Sequence, residues 1–250
     1  MTDDDLLGLF HDAATAVHTA VSGLDDWGLA NTRAGQYKCD LVADDAVLAV
    51  LAQAPVGILS EESGLANPER DVIVVVDPID GSTNAAAGLP WFATSLCAVD
   101  GDGPRVSLVV NQAIGTRFAA QRGAGATADG VRIDRPTKTD LSDALVALSG
   151  LPPRHLGWRQ YRALGAVALD MCAVATGTVD AFIDCTRAPA HGPWDYLGAM
   201  LVCEEAGAQV IDRDGDDLVA LQPTDRRSPV AAATPELLEQ ILRELHKKSE

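Results

Sequence analysis

The sequence predicts a layered α/β fold, and three observations predict it. Residues 72–76 read VIVVV, a continuous β-branched run of the kind found in a strand buried on both faces. Residues 3–22 place Leu6, Phe10, Ala13, Val17 and Val21 at helical spacing behind a crowd of acids, as in an amphipathic helix favoured by its own macrodipole. Helical and strand patterns alternate thereafter, but the middle of the chain is strand-rich, which favours stacked layers over a simple doubly wound sheet.

The elements follow in order. After the first helix comes a polar, Gly-containing stretch, then a helix over 43–54 ended by Pro55. Short apolar runs predict strands at 56–59, 72–76, 94–99, 106–110, 117–121, 144–148 and 181–183. Helical spacing returns at 158–177, 194–206 and 235–247. The polar stretch PTKTDLSD near residue 140 suggests a division into a subdomain over 1–140 and a second over 141–250.

Composition narrows the function. The chain has 250 residues, 47% of them apolar, enough for a sizeable core, but only 4% aromatic, so Ala, Val and Leu must fill it. Its formal charge of −17 disfavours nucleic-acid backbones and anionic membrane surfaces as partners. It would also repel a phosphate unless cations stood between, although part of the acidity can simply serve solubility. Five cysteines with no CxxC pair argue against a disulfide framework or a zinc cluster, and most sit in apolar runs as small core residues. The acidic start MTDDDLLGLF is unlike a secretory signal and no apolar run approaches a membrane span, so a cytoplasmic location is expected.

The richest segment is DPIDGSTN at 77–84, directly after VIVVV. Asp77 would stand at the C-terminal edge of a buried strand, where α/β proteins bind ligands. Asp80 can turn back to the same point across Pro78, Gly81 permits a tight path, and Ser82 with Thr83 can open a helix facing an anion. Two carboxylates beside such a helix start suit hard cations plus a phosphate. A strand-to-helix turn in which Asp and Ser merely cap is the simpler account of this segment alone. Glu61-Glu62 after the 56–59 strand, and Asp195 at the opening of the 194–206 helix, supply further acids, although an Asp there is commonly only a cap.

At this point the chain resembles the inositol monophosphatase family. SEESG at 60–64, DPIDGSTN at 77–84 and WDYLGAMLVCEEAGAQV at 194–210 match its pattern in order, and LGAVALDMCAVATGTVDAFID at 164–184 resembles the region leading to its last metal ligand. The resemblance implies an α-β-α-β-α architecture, a homodimer, and a Mg2+-dependent phosphomonoesterase using two to three ions. It implies Glu61, Asp77, the carbonyl of Ile79, Asp80 and Asp195 as metal ligands, with Asp77 bridging and Glu62 behind them. Ser82 corresponds to the hydroxyl residue that positions the attacking water, with Glu61 assisting. Gly81, Ser82, Gly165, Ala166 and Asp184 correspond to substrate contacts.

Two segments depart from the family pattern. The stretch Asp40-Leu41-Val42-Ala43-Asp44-Asp45 lacks a Thr and is shorter than usual, and Asp44 is taken as the acid partnering Ser82, with Asp45 close behind. The segment CTRAPAHGP after Asp184 is longer than in inositol-specific members, and Arg187 and His191 could line the pocket mouth. The simpler account of His191, beside Gly and Pro, is an exposed loop residue. Inositol monophosphate or a related cyclitol or sugar phosphate is the expected substrate. The alternatives are a 3′(2′),5′-bisphosphate nucleotide, histidinol phosphate and fructose 1,6-bisphosphate. A second phosphate would call for basic residues, and Arg162 and Arg187 are the nearby candidates. The rival from another class is a binding or regulatory protein that kept the fold without activity.

Overall fold

The computed structural model describes residues 1–134 and 137–247. Its first sheet has eight strands: β1 (Gly57–Ser60), β2 (Gly64–Ala66), β3 (Ile73–Asp80), β4 (Ala93–Asp100), β5 (Gly103–Asn111), β6 (Arg117–Gln121), β7 (Gly125–Ala128) and β8 (Val131–Arg132). They run in the order β2-β1-β3-β4-β5-β6-β7-β8, with β1 and β3 parallel and the other neighbours antiparallel. The second sheet holds β9 (Leu145–Ser149), β10 (Gln160–Arg162), β11 (Ala181–Asp184), β12 (Gln209–Asp212) and β13 (Pro229–Ala232), in the order β10-β9-β11-β13-β12.

Helices fill the spaces around the sheets. α1 (Asp3–Ser22) and α2 (Lys38–Leu51) cover the outer face of the first sheet, burying Leu6, Phe10, Val17, Val47 and Leu51 against Val74, Val76 and Leu108. α3 (Ser82–Ala87) is a short turn after β3. α4 (Val167–Ala175) and α5 (Pro193–Glu205) lie between the sheets, joining Val75, Cys97 and Val109 to Phe182 and Ala231 in one core. α6 (Pro235–His246) closes the far face through Leu237, Leu238 and Ile241. The layers are therefore α-β-α-β-α, with small residues filling the middle one. All five cysteines are buried and free, as their apolar settings predict. Among the described residues no helix is long and apolar enough to cross a membrane.

Besides the short strands β2, β7, β8, β12 and β13, which the apolar runs did not announce, three expected elements have other bounds. α2 begins at Lys38, not residue 43, because Asp40 at its third position accepts from the Tyr37 N–H at 2.8 Å and caps the earlier start. The helix expected over 158–177 is divided: residues 160–162 pair with β9, and the helix begins only at Val167, after Gly165 at φ 83°. The VIVVV strand continues to Asp80.

Two glycines set how closely the layers meet. A Cβ on Gly198 of α5 would stand 2.7 Å from Ser95 Oγ on β4. Gly81, between β3 and α3, has φ 87°, and a Cβ there would lie 3.0 Å from Ala166 Cβ and 3.1 and 3.2 Å from the Trp91 and Gly165 carbonyl oxygens. Asn84 then fastens the same junction, donating to the Trp91 and Leu164 carbonyls at 2.8 and 2.7 Å. Gly81→Ala should destabilise the protein by about 2–4 kcal/mol, combining left-handed strain with overpacking. Urea unfolding of the variant measures this, and a loss under about 0.5 kcal/mol would show that the junction yields.

Candidate active site

The site is created by an irregularity in β3. Asp77 and Asp80 are three residues apart, which in a regular strand would send their side chains to opposite faces. Pro78 cannot donate to the ladder, and between Asp77 and Asp80 the pairing with β4 slips, Asp77 facing Ser95 and Asp80 facing Ala93. This one-residue bulge re-phases the strand and turns both acids toward the same place. The Thr94 hydroxyl donates to the released Pro78 carbonyl at 2.8 Å, while Ile79 is buried within the bulge.

Other elements complete the cluster. Glu61 follows β1, the parallel neighbour of β3, and Asp195 sits in the first turn of α5, where it accepts from the Gly192 N–H at 2.8 Å. Carboxylate oxygens of Glu61, Asp77 and Asp195 all lie within 4.8 Å of one another. Asp80 stands beside them and accepts from the Ala168 N–H at 2.7 Å, so an acid of the first sheet caps α4 in the middle layer. Asp77 Oδ1 is buried without a hydrogen-bond partner.

The electrostatics carry the mark of missing positive charge. Burial, then Asp195, Glu62, Asp40 and Asp80, pushes Glu61 up to about 8. Burial and then the charge of Glu61, Asp80 and Asp195 raises Asp77 well above the usual carboxylate range, and burial and Asp195 do the same to Asp80 despite the bond from Ala168. An orphaned buried oxygen, three converging carboxylates and the raised proton affinities of Glu61, Asp77 and Asp80 fit a hard divalent cation, whose preferred ligands are oxygens.

Ser82 opens α3, whose start has no side-chain cap. The acid beside it is Asp40, not Asp44. Both line one cleft, and burial pushes the Asp40 carboxyl up to about 6, against the Tyr37 N–H and, more weakly, the Ser82 hydroxyl, which favour its charged form. Asp44 is one turn further along α2 and is occupied elsewhere, accepting from Ser60 Oγ at 2.6 Å and from the Ser63 hydroxyl. Glu62 is likewise engaged, with Arg33 at 2.7 Å and with Gln36.

Two clefts flank the acids. The first, of about 660 Å³, contains Asp40, Ser60, Glu61, Ser63, Ser82 and Trp194 under a rim of Arg33 and Arg226. The Arg226 guanidinium lies 5.1 Å from the centre of the Trp194 ring. The second, of about 400 Å³, is lined by Asp80 and Asp195 together with Asn84, Ser149, Gly165, Asp170 and His191, and among the described residues by no Lys or Arg. Arg162 and Arg187, the basic residues expected near the site, line neither cleft.

The second cleft corrects two further expectations. Asp184 is fully buried and absent from the lining, its carboxylate accepting from Thr186 N at 2.9 Å and Thr186 Oγ1 at 2.8 Å. His191 is not an exposed loop residue but is 9% accessible and forms part of the wall. Burial opposes its positive charge, but Asp184 and Asp195 outweigh that and raise it to about 10. Sequence reasoning also passed over Asp170, buried on α4, which accepts from the Trp91 indole N–H at 2.9 Å and is raised by burial to about 7. Its signal was an acid inside an apolar helix.

Residues 36–250 match the family model described as the inositol monophosphatase family. The chain belongs to that family. It is 31% identical over 206 residues to a fructose-1,6-bisphosphatase of Pyrococcus furiosus, covering 81% of this chain and 80% of that protein. It is 32% identical over 211 residues to a fructose-1,6-bisphosphatase/inositol-1-monophosphatase of Methanocaldococcus jannaschii, covering 81% and 82%. Its fold superimposes with a TM-score of 0.83 on a Pyrococcus horikoshii protein with similarities to inositol-1-monophosphatase, at 25% identity and 98% coverage of both chains. The family and the acid cluster make this chain a phosphatase of the fructose-bisphosphatase/inositol-monophosphatase kind.

Neutralising one acid should relieve the crowding. Asp77→Asn is expected to stabilise the chelator-treated protein by about 1–3 kcal/mol while removing the rise in melting temperature that magnesium gives the parent. Thermal unfolding with EDTA and with magnesium tests both, and a variant that magnesium stabilises like the parent would remove Asp77 from the cation site.

Proposed function

We propose that the protein is a magnesium-dependent phosphomonoesterase acting on the monophosphate of a small neutral polyol, with inositol monophosphate the leading substrate. The observation that carries this reading is the position of the acid cluster between a hydroxyl–carboxylate pair on one side and, on the other, a cleft with no Lys or Arg among the described residues.

Glu61, Asp77, the Ile79 carbonyl, Asp80 and Asp195 are the residues that would hold two to three ions. Bound there, magnesium supplies positive charge to the phosphate oxygens and acidity to a water. The chain supplies the rest. Ser82 orients the water through its hydroxyl, and Asp40 accepts the proton through Ser82. The backbone N–H groups of Gly81 and Ser82, at a helix start that no side chain caps, receive the phosphate.

In-line displacement puts the attacking and leaving oxygens on opposite sides of phosphorus. Asp40 and Ser82 occupy the first cleft, so the leaving alcohol belongs in the second, beside Asn84, Ser149, Gly165 and Asp170. That lining offers hydrogen bonds to hydroxyls, and its one basic group among the described residues, His191, is already engaged by Asp184 and Asp195, which leaves little to bind a second phosphate. Fructose 1,6-bisphosphate is the second reading, supported by the names of the two archaeal relatives. It would require the leaving alcohol, with its second phosphate, to lie instead toward the first cleft, where Arg33 and Arg226 are.

Phosphate release should be measured with inositol 1-phosphate, fructose 1,6-bisphosphate, adenosine 3′,5′-bisphosphate and histidinol phosphate. Magnesium-dependent release that is greatest with inositol 1-phosphate and lost in Asp77→Asn is expected; a bisphosphate as best substrate would favour the second reading. No release from folded, magnesium-binding protein would favour a non-catalytic role.

The two acids of α2 should separate in kinetics. Asp40→Asn should lower kcat about 10²–10⁴-fold with little change in KM, as for loss of a general base. Asp44→Asn should instead cost about 1–3 kcal/mol of stability through the Ser60 and Ser63 hydroxyls. Equal kcat losses in two folded variants would remove the distinction.

A further inference from the structure

The loop over 185–192, between β11 and α5, carries a side chain that the chemistry above leaves unused. His191 Nδ1 lies 3.5 Å from Asp195 Oδ2, and its Nε2 lies 3.1 Å from Ser149 Oγ and 3.6 Å from Asp184 Oδ1. The imidazole thus spans the acid of the proposed cation site and the acid that closes β11. Its remaining freedom is small. Phe182 meets the ring edge-on with centroids 6.4 Å apart, and the backbone of His191 pairs in both directions with Arg227, at 3.2 and 2.8 Å.

Each acid is altered by this bridge. Asp195 Oδ2 is faced by two groups of one loop, the His191 ring and the Gly192 N–H, so the orientation of its carboxylate is set from the loop and not only from α5. Asp184, already holding Thr186, is turned into the protein, and His191 takes its place on the cleft wall. A carboxylate wall would accept hydrogen bonds from substrate hydroxyls. The imidazole, with both ring nitrogens directed at protein oxygens, presents carbon edges to the cleft instead.

We propose that His191 is a positioning residue that orients Asp195 for cation binding and, by covering Asp184, withdraws that carboxylate from substrate recognition. The proposal rests on the phosphatase reading above. Its chemical consequence is that substrate hydroxyls are recognised by the wall formed from Asn84, Ser149, Gly165 and Asp170, and that a loop outside the metal motifs sets how tightly the cation is held.

Two isosteres separate the contacts, because the amide nitrogen of Asn falls near the position of Nδ1 and that of Gln near Nε2. The melting temperature of wild type, His191→Asn and His191→Gln should be followed against magnesium concentration without substrate. His191→Gln, which keeps the Ser149 side but loses Asp195, should need about 10-fold or more magnesium for half its melting shift, as outer-shell partners of metal ligands do. His191→Asn should stay within about threefold of wild type. Asp184→Asn should leave the KM for inositol 1-phosphate within about twofold, since a carboxylate outside the cleft makes no uniform binding contact. A folded His191→Gln with the wild-type magnesium response overturns the positioning role. A tenfold rise in KM for Asp184→Asn overturns the withdrawal of Asp184, and this arm stands even if His191→Gln loses its cooperative melt. A wild-type protein indifferent to magnesium overturns the cation-dependent reading and this proposal with it; a magnesium response that is the same in wild type and folded His191→Gln overturns this proposal alone.

Discussion

Mutual repulsion among buried carboxylates is the constraint on which the rest of this structure depends. Oxygens of Glu61, Asp77 and Asp195 fall within 4.8 Å of one another. At an effective dielectric constant of about 20, each such pair of full charges costs about 3 kcal/mol, and three pairs roughly 10 kcal/mol. That is comparable with the whole stability of an ordinary domain, about 5–15 kcal/mol. The fold meets this repulsion partly through proton uptake, the proton affinities of Glu61, Asp77 and Asp80 being raised, and rigid elements on every side keep the acids from separating. The bulge at Pro78 aims two of them, the parallel β1–β3 pair brings a third, and α5, seated on β4 through Gly198, brings the last. The same crowding is what a hard cation bound among these acids would relieve.

The positions of these acids were legible because each is tied to a local pattern. A β-branched run ending in Asp-Pro, a Gly able to turn, and acids opening or following regular elements can all be read within a few residues. Asp77, Asp80, Glu61 and Asp195 converge for that reason, and the five layers follow from the order of helices and strands.

Relations fixed across space were less legible. Asp40 and Asp44 are one helical turn apart, and choosing between them from spacing requires the true start of α2. Asp40 itself extends that helix by bonding the Tyr37 N–H, so the residue that was misjudged is the one that moved the boundary. His191 beside Gly and Pro has the composition of an exposed turn, but pairing with Arg227 draws it inward between two carboxylates. Arg33 and Arg226 come from opposite ends of the chain to one rim, and nothing in their neighbourhoods marks them. The helix expected over 158–177 failed because Gly165 breaks it and residues 160–162 find a strand partner.

The capping of α4 by Asp80 has an effect on the order in which the chain can mature. Asp80 belongs to the first sheet and the Ala168 N–H to a helix made much later, so the acid is synthesised well before the donor that holds it. The closing of the middle layer both buries that acid and supplies Asp195. A chain that ends before α5 lacks Asp195 and with it two of the three close carboxylate pairs, so the acid cluster is complete only once α5 is seated.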